Sequence, residues 1–186
     1  MTIKKIIPFA HDLLAKSLLP GDIAVDATCG NGHDTLFLSR LVSVNGKVFA
    51  FDIQEQAIEA TRAKLTEHSL TNVELVHDSH ALINTYVTEH TIGGAIFNLG
   101  YLPRSDKSIV TKPDSTIAAM EQILNKLKQN GLLILVIYTG HPGGVEEMQA
   151  VLNYSTHLNQ ESYTVLKYEF MNMKNNPPFV LAIEKR

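Results

Sequence analysis

With 186 residues, 45% hydrophobic and 19% charged, the chain has enough apolar sequence for one globular domain spanning 1–186 with its own core. A formal net charge of -3 at pH 7 argues against a broad nucleic-acid-coating surface, though it leaves room for a local basic patch. The single cysteine, Cys29, rules out an intramolecular disulfide framework and fits a reducing cytoplasm.

Apolar positions at Phe9, Leu13, Leu14, Leu18 and Leu19 predict an amphipathic helix within residues 1–20, stopped by Pro20-Gly21. No secretory signal is apparent behind the N-terminal lysines. Asp22 to Asp26 reads as a strand, and Asp34 to Leu41 begins a helix. Gly46 to Asp52 is a second strand, followed by a helix from about Glu55 to His68. Val73 to Val76 is a short third strand ending at His77-Asp78-Ser79-His80. Ile92 to Leu99 reads as a buried fourth strand. A polar loop then leads to a helix from about Asp114 to Gln129, which Asn130-Gly131 is expected to stop. Leu132 to Tyr138 is the most apolar strand, and its core is too short to span a bilayer, which needs ~20 residues. A helix from about Val145 to Leu158 follows. Tyr163 to Met171 and Phe179 to Glu184 are then two strands joined by Lys174-Asn175-Asn176-Pro177-Pro178. Alternating strands and helices predict an α/β, doubly wound, Rossmann-like sheet of seven strands, with an antiparallel C-terminal hairpin at one edge.

In such sheets ligands sit beyond the carboxyl ends of the strands. The first loop, Asp26-Ala27-Thr28-Cys29-Gly30-Asn31-Gly32-His33-Asp34-Thr35, joins an acid to glycines that let a ligand approach the backbone. A dinucleotide fingerprint would need a third glycine where Thr35 stands. A methyltransferase loop, an acid followed by alternating glycines, fits better, with Thr28 replacing its first glycine. Asp52 closes the second strand at the spacing that puts a carboxylate on ribose hydroxyls, with Gln54 beside it and Ile53 placed to pack on a base. Asp78 and Ser79, followed by His80, stand where an adenine would be read, or else form a helix N-cap. Asn31 and His33 project where the rest of the cofactor would lie, and Asp34 is either a ligand contact or a helix-start acid.

The fourth loop, Asn98-Leu99-Gly100-Tyr101-Leu102-Pro103, stands where methyltransferases acting on amino groups carry an Asn/Asp-Pro-Pro-aromatic motif. An amide oxygen there can accept the hydrogens of a nitrogen nucleophile and aim its lone pair, while an aromatic ring stacks on a base. Asn98 and Tyr101 fit those roles. Asn176-Pro177-Pro178-Phe179 matches the motif literally but precedes the last strand, so it reads as a rigid connection at most shaping the pocket rim. His77, His80 and Cys29 suggest a metal only superficially, since nothing completes four ligands; no metal is expected. His141, in Thr139-Gly140-His141-Pro142-Gly143-Gly144, is either a proton acceptor or a loop histidine satisfied by backbone. Arg104, Lys107 and Lys112 gather beside Asn98 and suit a few phosphates, or are simply solvated.

Together these loops, with Asp106-Lys107, resemble the small rRNA-methylase-like family of class I S-adenosylmethionine-dependent methyltransferases, over essentially the whole chain. The resemblance implies the seven-stranded class I sheet with its antiparallel C-terminal strand. It implies methyl transfer from S-adenosylmethionine, leaving S-adenosylhomocysteine, to the 5-aminomethyl group of the wobble uridine of tRNA. It implies recognition of the anticodon stem-loop and no metal requirement, and allows a homodimer; no membrane partner is expected. Asn98, Tyr101, Asp106 and His141 are candidate catalytic residues. Asp26, Thr28, Gly30, Asn31, Gly32, His33, Asp34, Asp52, Gln54, Asp78, Ser79 and His80 are candidate cofactor contacts. Pro103, Arg104, Lys107 and Lys112 are candidate RNA contacts. Arg104-Ser105 departs from the small residues expected there. Other readings are an rRNA or small-amine N-methyltransferase, or a nucleotide-binding protein without methyl transfer.

Overall fold

In the computed structural model, which describes residues 2–89, 91–100, 102 and 110–186, the elements run as follows. They are α1 (Ile6–Ser17), β1 (Ile23–Asp26), α2 (His33–Val42), β2 (Lys47–Asp52), α3 (Glu55–Glu67), β3 (Val73–His77), a 3-10 turn (His80–Leu82), α4 (Ile83–Tyr86), β4 (Ile92–Leu99), α5 (Pro113–Lys126), β5 (Leu127–Ile137), α6 (Gly144–Thr156), β6 (Tyr163–Tyr168) and β7 (Phe179–Lys185). The strands form one sheet in the order β3-β2-β1-β4-β5-β7-β6. The first five run parallel, and β7 lies antiparallel between β5 and β6.

Alternate residues along each central strand serve opposite faces. Ala24, Val48, Ile96 and Ile134 pack with Leu14 of α1 and Leu38 of α2. Val25, Phe49, Phe97 and Leu133 pack with Ile83, Met120, Ile123 and Val151 of α4 to α6. Burying a side chain such as Leu14 or Phe97 completely contributes about 1.5–3 kcal/mol. The α1 helix starts at Ile6 and buries Ile6, Ala10 and Leu14, with Pro8 tolerated in its first turn. Phe9 and Leu13 only flank that stripe.

One expectation shifts. The fifth helix ends at Lys126 rather than Gln129, because Leu127 is already paired with Ile92 at the start of β5. The pairing then slips: Gly94 meets Leu132, so Lys128 to Gly131 bulge out of register, with Asn130 at φ 61°. Asn130-Gly131 thus bends a strand instead of ending a helix. The terminal hairpin lies at one edge of the sheet, as expected. Within it Phe179 to Ile183 of β7 are buried, while β6 is largely exposed and forms that edge. Because β7 runs backwards, its first residue, Phe179, pairs with Ile137 at the last position of β5. The Asn176-Pro177-Pro178 connection therefore ends at the same rim of the sheet as the strand-to-helix loops.

Candidate active site

The carboxyl ends of β1 to β5 open on one rim, and each delivers a polar group there. Asp26 ends β1 fully buried. It accepts hydrogen bonds from Thr35 Oγ1 at 2.6 Å and from the Thr28 backbone N–H at 3.2 Å. Burial, with Asp34 nearby, pushes its carboxyl up to about 7. Asp26 thus ties β1 to the start of α2 and anchors the loop between them.

That loop turns on Gly30 (φ 50°) and Gly32 (φ 73°), the latter at the N-terminus of α2. A Cβ on Gly32 would lie 2.9 Å from Thr61 Oγ1 and 3.0 Å from Thr61 Cα, so glycine is required both for the backbone and for the close approach of α3. Gly30 N–H donates to Asp52 Oδ2 and Gln54 N–H to Asp52 Oδ1, both at 3.0 Å. The second-strand acid and the glycine loop are therefore one unit. A carboxylate has about four acceptor sites, so capacity remains beside these backbone donors for ribose hydroxyls. Burial raises the Asp52 carboxyl, opposed by these backbone donors. Beside it Ile53 is 54% exposed, an apolar surface of the right kind for a base. Its carbonyl accepts from His77 Nε2 at 3.1 Å. Asn31 and His33 are exposed on the loop, and Lys64 Nζ lies 3.0 and 3.1 Å from the two ring nitrogens of His33.

At the end of β3, Asp78 Oδ1 accepts from Ser79 N–H and Oδ2 from the Tyr86 hydroxyl, both at 2.7 Å. These bonds, Tyr86 first, hold its carboxyl below the usual range. Ser79 Oγ accepts from Ala81 N–H at 3.2 Å, so it does cap the following 3-10 turn. His80 is buried, donating Nδ1–H to the Ala27 carbonyl at 3.1 Å and packing edge-on to Phe97. Burial lowers its pKa and keeps the ring neutral. Cys29 is buried, and burial pushes its thiol up, away from the reactive thiolate. Among the described residues no three His, Cys, Asp or Glu side chains are grouped to hold a metal.

Asn98 is half-buried near the end of β4. Its backbone N–H donates to Thr28 Oγ1 at 2.7 Å and its Nδ2 to Asp34 Oδ2 at 2.5 Å. The other oxygen of Asp34 meets His11 Nε2 at 2.5 Å. Tyr138, just beyond β5, is 38% exposed, and burial followed by the Asp34 charge raises its pKa. His141 is buried. Its Nδ1 lies 3.1 Å from the Pro142 carbonyl. Buried Glu147 accepts from Thr111 and Thr116 hydroxyls, both at 2.6 Å, and Gly100 N–H donates to Thr111 Oγ1 at 3.1 Å. These bonds brace the β4 and β5 loops against each other. Lys112 is exposed at the residue before α5. Tyr101, Pro103, Arg104, Asp106 and Lys107 lie outside the described residues.

The structure thus gathers Asp26, Thr28, Asp34 and Asn98 into one network and Gly30, Asp52 and Gln54 into another. Asp78 and Ser79 stand at the next strand end. Sequence reasoning missed His11, Tyr86, Thr111, Tyr138 and Glu147. Tyr138 was readable as the first residue after the most apolar strand, and Glu147 as an acid in the first turn of a helix after a glycine loop. His11 carried no signal beyond interrupting an amphipathic helix. A cleft of about 560 Å³, lined by Leu13, Lys16, Leu132 and Leu166 among others, lies between α1 and the β5–β7 face, away from these loops.

A parallel sheet with one reversed strand, a glycine turn clamped to a second-strand acid and an asparagine ending β4 define a nucleoside-binding methyltransferase sheet. Residues 48–184 match the family described as "Putative rRNA methylase", and the chain belongs to that family. It is 35% identical to the "tRNA (mnm(5)s(2)U34)-methyltransferase, chloroplastic" of Arabidopsis thaliana, over 98% of this chain and 70% of that protein. Its fold superimposes on a "putative rRNA-methylase" of Clostridium thermocellum with a TM-score of 0.97 at 41% identity, each chain covered in full. A "putative methyltransferase" of Streptococcus mutans in complex with S-adenosylhomocysteine gives 0.92 at 45% identity, again over both whole chains. The chain is a class I S-adenosylmethionine-dependent methyltransferase. Among the described residues no helix is long and apolar enough to cross a membrane.

Proposed function

We propose that this enzyme N-methylates the 5-aminomethyl group of the wobble uridine of tRNA. The products are the 5-methylaminomethyl nucleoside, with or without 2-thiolation, and S-adenosylhomocysteine. The named substrate of the Arabidopsis thaliana relative supports this reading. So does the polar constellation around Asn98, which suits a nitrogen nucleophile. Asp52 would take the ribose hydroxyls and the Gly30–Gly32 turn would let the cofactor lie against backbone. Asp78 would accept from the adenine amino group, with Ser79 beside it, and Asn31 and His33 would lie beside the amino-acid end. The pairing of Asp52 with Gly30 and Gln54 fits such a group, since it leaves the carboxylate oriented and able to accept more. When bound, S-adenosylmethionine supplies a sulfonium-activated methyl group.

The acceptor's side of the chemistry falls to this chain. A primary alkylamine is protonated near neutral pH and attacks only after losing that proton, so the site must favour the neutral amine. Asn98 Oδ1 would accept one amine N–H and aim the lone pair, with Tyr101 stacked on the uracil. His141 or Asp106 would receive the departing proton, directly or through water. Pro103, Arg104, Lys107 and Lys112 would face the anticodon stem-loop, the cations neutralising phosphates. The observation that carries the reading is Asn98 itself, half-buried at the end of β4 and held by Thr28 and Asp34.

The test is incubation with S-adenosylmethionine and tRNA bearing 5-aminomethyluridine, followed by nucleoside mass spectrometry. One added methyl on the aminomethyl nucleoside is expected. Methylation of rRNA under the same conditions, with none on the tRNA, would replace this reading by the rRNA one.

A further inference from the structure

Asp34 has both oxygens engaged, Oδ1 by His11 Nε2 and Oδ2 by Asn98 Nδ2. An ionised carboxylate only accepts, so the amide must turn its nitrogen toward Asp34 and its oxygen away. His11 comes from the middle of α1, a helix that is not itself one of the strand-end loops. Its ring lies flat on Phe37, with centroids 3.8 Å apart and planes within 6°. That stack fixes the ring plane and directs Nε2 at the carboxylate. The pair is largely withdrawn from water, with side-chain exposures of 25% for His11 and 12% for Asp34. Such a bond is screened less than a surface pair and constrains geometry more.

We propose that His11 is a positioning residue for the acceptor amine: by holding Asp34 it locks the Asn98 amide with its oxygen presented to the amine. The inference rests on Asn98 being the amine's hydrogen-bond acceptor, and it extends the machinery to a helix outside the loops. The lock matters because a flipped amide does more than lose a contact. Its NH2 would meet the amine as a donor and occupy the nitrogen lone pair, the pair that must form the new N–C bond. The Phe37 stack and the Asp34 bond together exclude that flipped state before substrate arrives.

His11→Phe keeps a ring to stack on Phe37 and removes the donor, whereas His11→Gln keeps a donor without the ring. His11→Phe is expected to lower kcat about 10- to 100-fold on tRNA bearing 5-aminomethyluridine. KM for that tRNA and affinity for S-adenosylhomocysteine should stay within about threefold, because no binding contact is lost. His11→Gln should recover much of the rate. In an Asn98→Ala background His11→Phe should cost nothing further, since its effect passes through the amide. With S-adenosylhomocysteine bound, the side-chain amide NMR signals of Asn98 should shift and exchange faster in His11→Phe than in the wild type. A kcat within twofold of wild type in His11→Phe, alongside a large loss in Asn98→Ala, would overturn the role of His11 and leave the acceptor reading standing. Multiplying losses in the double variant would mark His11 as structural only. If the wild type leaves aminomethyluridine unmodified, the functional reading fails by itself. The amide signals then decide: unchanged Asn98 resonances in His11→Phe overturn the lock.

Discussion

Asp52→Asn is the most direct perturbation of the cofactor side of the site. In the native protein the carboxylate accepts N–H bonds from Gly30 and Gln54, both at 3.0 Å, and keeps acceptor capacity for ribose hydroxyls. The substitution is nearly isosteric but turns one oxygen into a donor, which must face either a backbone N–H or a ribose hydroxyl. Hydrogen bonds to a charged acceptor contribute about 1.5–3 kcal/mol and neutral ones about 1 kcal/mol. At the lower end of these ranges, losing one ribose bond (about 1.5–2 kcal/mol) and weakening the other (about 0.5–1 kcal/mol) costs about 2–3 kcal/mol. At 1.4 kcal/mol per tenfold, S-adenosylhomocysteine should bind roughly 30- to 150-fold more weakly. Removing a half-buried charge offsets part of the structural cost, so the fold should survive. Isothermal titration with S-adenosylhomocysteine, beside a thermal melt of each protein, measures both quantities. A folded variant with affinity within threefold of wild type would refute the ribose assignment and the clamp argument built on it.

Gly32→Ala should destabilise the fold by about 2–4 kcal/mol, measured as a lower urea midpoint, because it combines an unfavourable left-handed backbone with a side chain 2.9 Å from Thr61. Thr116→Val keeps shape but strips one donor from buried Glu147. A loss of about 1–3 kcal/mol in chemical denaturation is expected, and an unchanged midpoint would mean Glu147 finds another donor. Asp26 predicts a pH dependence. Its folded pKa, about 7, lies above the unfolded value near ~3.9, so the native state holds the proton more tightly in between. Its contribution to stability is thus full below pH ~4 and lost as pH rises toward ~7. Asp26→Asn should flatten that part of the stability–pH curve, and an equally steep curve in the variant would place the titration elsewhere.

Much of the architecture could be read directly from the chain. Apolar runs closed by Asp26, Asp52 and His77-Asp78 marked parallel strands, and Gly30 and Gly32 marked a turn needing unusual backbone, because local sterics decide both. The position of β7 was harder. Its continuous apolar run, Phe179 to Ile183, is the signature of a strand covered on both faces, but hairpin continuity alone leaves either partner free to be the edge. Packing against β5 decided it. The Asn130-Gly131 bulge was misread as a helix stop because the same residues serve both purposes, and only the pairing of Leu127 with Ile92 distinguishes them.

The sequence by itself determined the strand ends, the glycine turn and the identity of the acid and amide that face it, because these follow from local periodicity and residue chemistry. Only the tertiary structure decided what each polar group touches. Asp34 lies 23 residues from His11 and 64 from Asn98, distances along the chain over which no local pattern speaks. Their meeting depends on α1 and α2 burying Leu14 and Leu38 against the same side of the sheet. Apolar packing selects that arrangement, and the hydrogen-bonded network at the rim forms where it leaves those side chains.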